Sequence, residues 1–230
     1  MIDEALINRN IAELRQRIRL IAQECGRDPN DITVLAVSKT RPAAAIRVAA
    51  SAGLTNIGEN YIQEAVDKQL ELQDLPLQWH CIGPLQSNKT RLVAEHFHWA
   101  HTVDRLKIAQ RLNDQRPSTL PALNVCLQVN IDREPQKAGV APDELKNLAE
   151  QVATLPNLML RGVMAIPAAR DDTAAQRQTF AAVRACFQSL QGEYPQMDTL
   201  SMGMSRDFPA AVAEGSTLVR IGTDIFGART

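Results

Sequence analysis

One pattern constrains this chain more than any other. Short apolar, β-branched runs alternate with segments of helical periodicity along nearly its whole length. Eight runs read as strands: ITVLAVS (32–38), TNIGE (55–59), WHCIG (79–83), WAHTVD (99–104), LNVCLQVN (123–130), LMLRGVMAI (158–166), MDTLSMG (197–203) and TLVRIGT (217–223). Between them apolar residues recur at helical spacing, as at Ala45, Ile46, Ala49 and Ala50, or at Leu145, Leu148, Ala149, Val152 and Leu155. Strands that alternate with helices pair in parallel, because each helical crossover returns the chain to the same end of the sheet. Eight such units in 230 residues match a closed barrel, whose usual size is about 250 residues. The expected fold is therefore α/β: a single (β/α)8 TIM-type barrel with an extra N-terminal helix, one domain over 1–230. An open doubly wound sheet is the alternative, and eight short strands favour closure.

The extra helix comes first. Ile2, Leu6, Ile7, Ile11, Leu14, Ile18 and Ile21 form one stripe that ends at Gly26 and Pro29. The chain stops soon after the eighth strand, so this helix is expected to cover the gap that a last outer helix would fill. Local chemistry assigns Pro42 to a helix start, Ser87 and Asp104 to N-caps, and Arg170 to Gln191 to a long, solvated outer helix.

The net charge of −1 gives no reason to expect a nucleic-acid partner. The opening MIDEALINRN lacks the basic and apolar regions of a signal peptide, and no apolar run reaches the ~20 residues of a membrane span. A cytoplasmic, non-membrane protein is expected. Cys25, Cys81, Cys126 and Cys186 are far apart, as buried thiols in a reducing compartment would be, with no CxxC pair for a metal or disulfide. His96, His98 and His101 cluster around Trp99 but span a helix end and a strand start, so their side chains should diverge rather than share zinc.

In such barrels the active face lies at the C-terminal ends of the strands. Lys39 leaves the first strand there. Partial desolvation there would lower its pKa and make a nucleophilic amine suited to a Schiff base; snorkelling into solvent is the plainer explanation. Small residues gather at the last two strand ends: Ser201, Gly203, Ser205, Gly222 and Thr223. Their backbone and hydroxyl donors, in the usual phosphate position of these barrels, suit a phosphate; ordinary turn chemistry explains them equally well. A lysine amine opposite a phosphate cup suits a phosphorylated aldehyde, either pyridoxal 5′-phosphate or the sugar phosphate of a class I aldolase. Lys89 and Lys137 lie in loops on the same side and read as solvated lysines.

The segments LAVSKT, GENYIQEAVDK, WHCIGPLQSNK, LRGVMAI, LSMGMSRD and GSTLVRIGTDIFGAR, spread from about Ile32 to Arg229, resemble the pyridoxal-phosphate homeostasis protein family. The pattern departs at Arg41 and Asp224, where that family often carries Lys and Ala. The resemblance implies a fold similar to the N-terminal barrel of alanine racemase and pyridoxal 5′-phosphate as cofactor, held as an internal aldimine on Lys39. It implies that Ser201, Gly203, Gly222 and Thr223 hold the phosphate with Ser205 as a further donor, that Arg220 faces the pyridine nitrogen, and that Asn60 and Met164 line the cofactor. An arginine donates and takes no proton at neutral pH, so the ring would be a weak electron sink. Racemisation also needs a second acid/base on the opposite face of the substrate carbon, which alanine racemase draws from a second domain and a partner subunit. No residues remain here for that domain. The implied function is intracellular cofactor homeostasis, a monomeric carrier with PLP-dependent apo-enzymes as partners, rather than turnover; a weak PLP-dependent amino-acid racemase is the alternative.

Overall fold

The computed structural model describes residues 2–228; Arg229, the end of the last resembling segment, lies outside them. Eight parallel strands close into a barrel in sequence order: β1 (Thr33–Val37), β2 (Asn56–Glu59), β3 (Gln78–Cys81), β4 (Trp99–Val103), β5 (Leu123–Val129), β6 (Leu158–Ala165), β7 (Thr199–Met204) and β8 (Leu218–Ile221). Closure is made by β8 on β1, with Thr33 opposite Leu218 and Ala36 opposite Ile221. Each of the eight sequence-predicted runs overlaps its strand; six contain it whole, while β3 begins one residue before its run, at Gln78, and β7 ends one residue after its run, at Met204.

The helices are α1 (Glu4–Glu24), α2 (Ala43–Ser51), α3 (Ile62–Glu71), α4 (Thr90–His96), α5 (Leu106–Gln115), α6 (Leu145–Ala153), α7 (Thr173–Gln191), α8 (Phe208–Ala213) and α9 (Thr223–Phe226). The first, α1, starts at Asp3, whose carboxylate accepts from Leu6 N, and buries Ile7, Ile11, Leu14 and Ile18. It packs against α2, α8 and α9, so it closes the outer ring beside the short α9.

Four local expectations are corrected. Lys89, not Ser87, occupies the N-cap of α4; the Ser87 carbonyl instead accepts from Thr90 Oγ1 and Arg111 Nε. Arg105 occupies the N-cap of α5, because the Asp104 carboxylate is taken by the Arg105 guanidinium at 2.6 Å. The outer helix α7 begins at Thr173, capped by Asp172, which leaves Arg170 in the loop at the barrel mouth. Cys25 is exposed rather than buried.

Two layers hold the barrel together. Between the sheet and the helices lies one continuous apolar cluster that includes Ile11, Ile46, Ile57, Val93, Ile108, Leu112, Leu127, Val183 and Phe208. Inside the barrel the apolar share is small: Leu35, Ile82 and Leu218, with Val37 against them, form a separate cluster. Much of the remaining interior is polar, including buried His80, His101, Ser201 and Arg220. The side chains of β4 and β7 meet at His101 and Ser201; strands that are not neighbours touch only across the interior.

Candidate functional site

A cavity of about 450 Å³ opens at the C-terminal ends of the strands, within the size range of small-molecule sites. Lys39, Asn60, Ser205, Arg220, Gly222 and Thr223 line it, with Val37, Ile82 and Ile166 as apolar walls. Five cationic side chains (Lys39, Arg41, Arg170, Arg206 and Arg220) outnumber the two carboxylates, Asp171 and Asp207. That balance favours an anionic ligand.

Half-buried Lys39 is held by what flanks it. Ser38 ends the β1 ladder by donating its N–H to Gly58 O, and its hydroxyl donates to Glu59 Oε1 at 2.6 Å. Buried Lys68 on α3 donates to Ser38 O, Glu59 Oε1 and Glu64 Oε1 at 2.8, 2.6 and 2.6 Å. Thr40, at φ 63°, donates its N–H to Glu64 Oε1 at 2.6 Å. A positive φ is unfavourable for a β-branched residue, so this buried ion-pair cluster holds the turn that presents the lysine. Burial raises the Glu59 carboxyl pKa, opposed by Lys68 and by the Ser38 hydroxyl.

Arg220 forms the floor. It is almost fully buried, and burial lowers its pKa to about 10, so it stays a cation at neutral pH. Its Nη1 donates to Ser201 O and Ser201 Oγ at 2.7 and 2.9 Å, and its Nη2 to Ala165 O at 2.8 Å. A guanidinium carries five N–H donors, so capacity remains for a group in the cavity.

On the far wall, Asp207 Oδ1 accepts from Met204 N at 2.6 Å and holds the turn that carries Ser205 and Arg206. Gly203 sits beneath it at φ 92°, where a Cβ would come within 2.6 Å of Ala211 Cβ. Glycine is required there both by the backbone and by the approach of α8. Gly222 and Thr223 stand where β8 gives way to α9. Asn60 lies over Gly83, where a Cβ would come within 2.2 Å of the Asn60 carbonyl. Its Oδ1 is buried with no hydrogen-bond partner among the described residues.

Of the nine residues expected at the site, six line the cavity and Met164, Ser201 and Gly203 do not. Met164 is fully buried in β6, and Gly203 serves the β7–α8 packing. Ser201 was expected to meet phosphate. Its hydroxyl is instead engaged below the cavity by Arg220 and by His101 Nδ1, 2.9 and 3.0 Å away. The sequence reading assigned no role to Glu59, Glu64, Lys68 or His80. Glu64 and Lys68 carry a local signal, an i,i+4 pair on one helix face; Glu59 and His80 have none, since their partners are remote in sequence. The other clustered histidines diverge: His96 is exposed and His98 Nδ1 accepts from Trp79 N. Lys137 pairs with Glu134 at 2.6 Å. At the two departures from the family pattern, Arg41 donates to the carbonyls of Gly227 and Ala228, and Asp224 pairs with Arg17. No helix among the described residues is long and apolar enough to cross a membrane.

The model of the alanine racemase N-terminal domain matches residues 9–230. The chain is 60% identical over 223 residues to the pyridoxal phosphate homeostasis protein of Pseudomonas aeruginosa, covering 97% of this chain and 96% of that one. It is 56% identical over 226 residues to the protein of the same name from Escherichia coli, covering 97% of each. Among solved structures it is similar to PipY of Synechococcus elongatus with PLP bound, at TM-score 0.83 and 42% identity over 96% of this chain and 100% of that one. The alanine racemase of Corynebacterium glutamicum shares the fold, at TM-score 0.67 and 18% identity, over 99% of this chain and 62% of that one. The chain belongs to the alanine racemase N-terminal domain family and, within it, to the pyridoxal phosphate homeostasis proteins.

Proposed function

We propose that the chain binds pyridoxal 5′-phosphate in the barrel-mouth cavity and serves its homeostasis, Lys39 supplying the amine for a covalent link. The observation that carries this is the convergence of Lys39, Arg220 and the Ser205, Gly222 and Thr223 group on one cation-rich cavity. The lining suits the cofactor. Asn60 Oδ1, buried without a protein partner among the described residues, would be satisfied by a ring hydroxyl. Ser205, Thr223 and the backbone at Gly222 would hold the phosphate, with the surrounding arginines balancing its charge. Arg220, a cation that only donates, would meet an unprotonated ring nitrogen. When bound, the cofactor supplies an electrophilic aldehyde and an electron-withdrawing ring. The protein's part is to bind it, hold the amine in place and keep the ring nitrogen a hydrogen-bond acceptor. We further propose that a cytoplasmic monomer hands the cofactor to PLP-dependent apo-enzymes.

The test is borohydride reduction of PLP-loaded protein followed by peptide mass spectrometry. The adduct is expected on Lys39 and lost in Lys39→Ala; an adduct confined to another lysine overturns the assignment. Transfer to an apo-enzyme faster than free release supports delivery. Robust, Lys39-dependent production of D-alanine from L-alanine would favour a racemase instead.

A further inference from the structure

Below the cavity, five side chains from five strands form an unbranched path across the barrel interior. Arg220 Nη1 donates to Ser201 Oγ at 2.9 Å. Ser201 Oγ lies 3.0 Å from His101 Nδ1, His101 Nε2 lies 2.9 Å from His80 Nδ1, and His80 Nε2 lies 3.1 Å from Asn56 Oδ1. His80, His101 and Ser201 are essentially inaccessible to solvent, at 1, 0 and 0%. His80 also stacks on Trp99, with ring centroids 5.3 Å apart and 9° between planes, which fixes its plane.

The direction of every hydrogen bond follows from the two ends. An amide oxygen only accepts, so His80 Nε2 carries the hydrogen. In a neutral ring His80 Nδ1 is then an acceptor, so His101 Nε2 is the donor and His101 Nδ1 an acceptor. Ser201 therefore donates to His101, and its lone pair receives Arg220, which donates only. The polarity required from below is the one that Arg220 requires from above. A second proton on His101 would put N–H donors on both sides of Ser201 Oγ and a cation beside Arg220. Burial and these neighbours hold both rings neutral: His101 is lowered to about 3, by burial and then Arg220, and His80 well below its usual value, by burial, His101 and His98. The path ends on an amide that neither gains nor loses a proton, so it orients a group rather than conducting protons.

We propose that Asn56, His80, His101 and Ser201 are positioning residues for Arg220: a one-way hydrogen-bond chain that fixes the tilt of the guanidinium and so the N–H it presents to the cavity. This rests on the reading that Arg220 faces the ring nitrogen of bound PLP. The Ser201 and Ala165 carbonyls anchor the guanidinium; without the third contact, from Ser201 Oγ, its tilt would be less well fixed and that nitrogen more open to water and to protonation.

Nitrogen NMR on histidine-labelled protein without cofactor tests the chain itself. Both buried histidines are expected as Nε2–H tautomers that do not titrate down to about pH 5, below the ordinary histidine value. Nδ1–H tautomers, or titration near 6.5, would overturn the proposal. Two variants with PLP added test the positioning. In His101→Gln the side-chain oxygen and NH2 reproduce the acceptor and donor; in His101→Leu neither exists. The leucine variant is expected to lose about tenfold in PLP affinity and to shift the absorbance of bound cofactor, while glutamine restores both. Equal losses in the two variants with unchanged absorbance would mean that His101 only fills space, and the proposal fails. If the leucine variant does not fold, Ser201→Ala cuts the same path with one hydroxyl, and an unchanged absorbance there is equally fatal. Failure of wild-type protein to take up PLP would sink the cofactor reading but leave the NMR result standing.

Discussion

The two sides of the same sheet are built on opposite principles. Outside, where strands meet helices, Ile, Leu, Val, Ala and Phe form one cluster whose stability comes from removing apolar area from water. Inside, only Leu35, Ile82 and Leu218, with Val37, make an apolar group, and much of the remainder is the Arg220-to-Asn56 path. The outer layer tolerates exchange of one hydrophobe for another of similar volume. The inner one does not tolerate loss of a partner, because a buried donor or acceptor left unmatched costs about 1–3 kcal/mol. The interior forgoes apolar packing, and its polar side chains hold one guanidinium at the cavity floor. The outer layer has a polar exception of its own, the Glu59–Lys68–Glu64 cluster that braces the Lys39 turn.

That exception gives the largest expected effect. Lys68→Ala leaves the Glu59 carboxylate buried without its cation, and should cost about 3–5 kcal/mol in chemical denaturation and weaken PLP binding with it. If stability falls and PLP affinity holds, the cluster braces the fold but not the lysine. Truncation of the apolar layer comes next. Leu112→Ala, at a fully buried site, should cost about 2–5 kcal/mol, with PLP affinity and bound-cofactor absorbance unchanged; a changed absorbance would break the division between the layers.

Acid titration probes the interior. His80 and His101 have folded-state pKa values below the unfolded value, His101 at about 3. The unfolded chain therefore binds more protons than the fold below about pH 6.5, and stability is lost as pH falls from there toward 3. The loss should be of order a few kcal/mol, with a shallower slope in His101→Gln; identical slopes would mean that the imidazole titrates freely in the fold. The smallest effect belongs to the periphery: Asp172→Ala removes the carboxylate that accepts from Ala175 N, and should cost about 1 kcal/mol with no change in ligand binding.

The outer layer was legible because its signals are local. A strand run and a helical stripe are each written within ten to twenty consecutive residues, roughly the length of one element. Lys39, Gly222 and Thr223 were legible for a related reason: barrel topology places strand ends at one face, so counting strands locates them. Ser201 shows the limit. Its place at the mouth end of β7 was readable, but whether its hydroxyl turns to the cavity or to Arg220 depends on β4 and β8, 100 and 19 residues away. His101 was grouped with His96 and His98 by nearness in sequence, with side chains expected to diverge, and only closure of the barrel carries it to Ser201.

By itself the sequence determined the eightfold alternation, the parallel sheet with closure favoured, the strand ends at which chemistry collects and the family to which the motifs point. These follow from periodicity and short-range steric and hydrogen-bonding rules that act along the chain. Tertiary structure decided which polar side chains meet: the carboxylates and lysine that hold the Lys39 turn, and the two neutral imidazoles beneath Arg220. The first depends on the packing of α3 against β1 and β2; the second depends on closure, which brings His101 of β4 to 3.0 Å from Ser201 of the non-adjacent β7 inside a space that excludes water. There, a missing partner costs more than an exposed one would, and the geometry alone selects tautomer, charge and role.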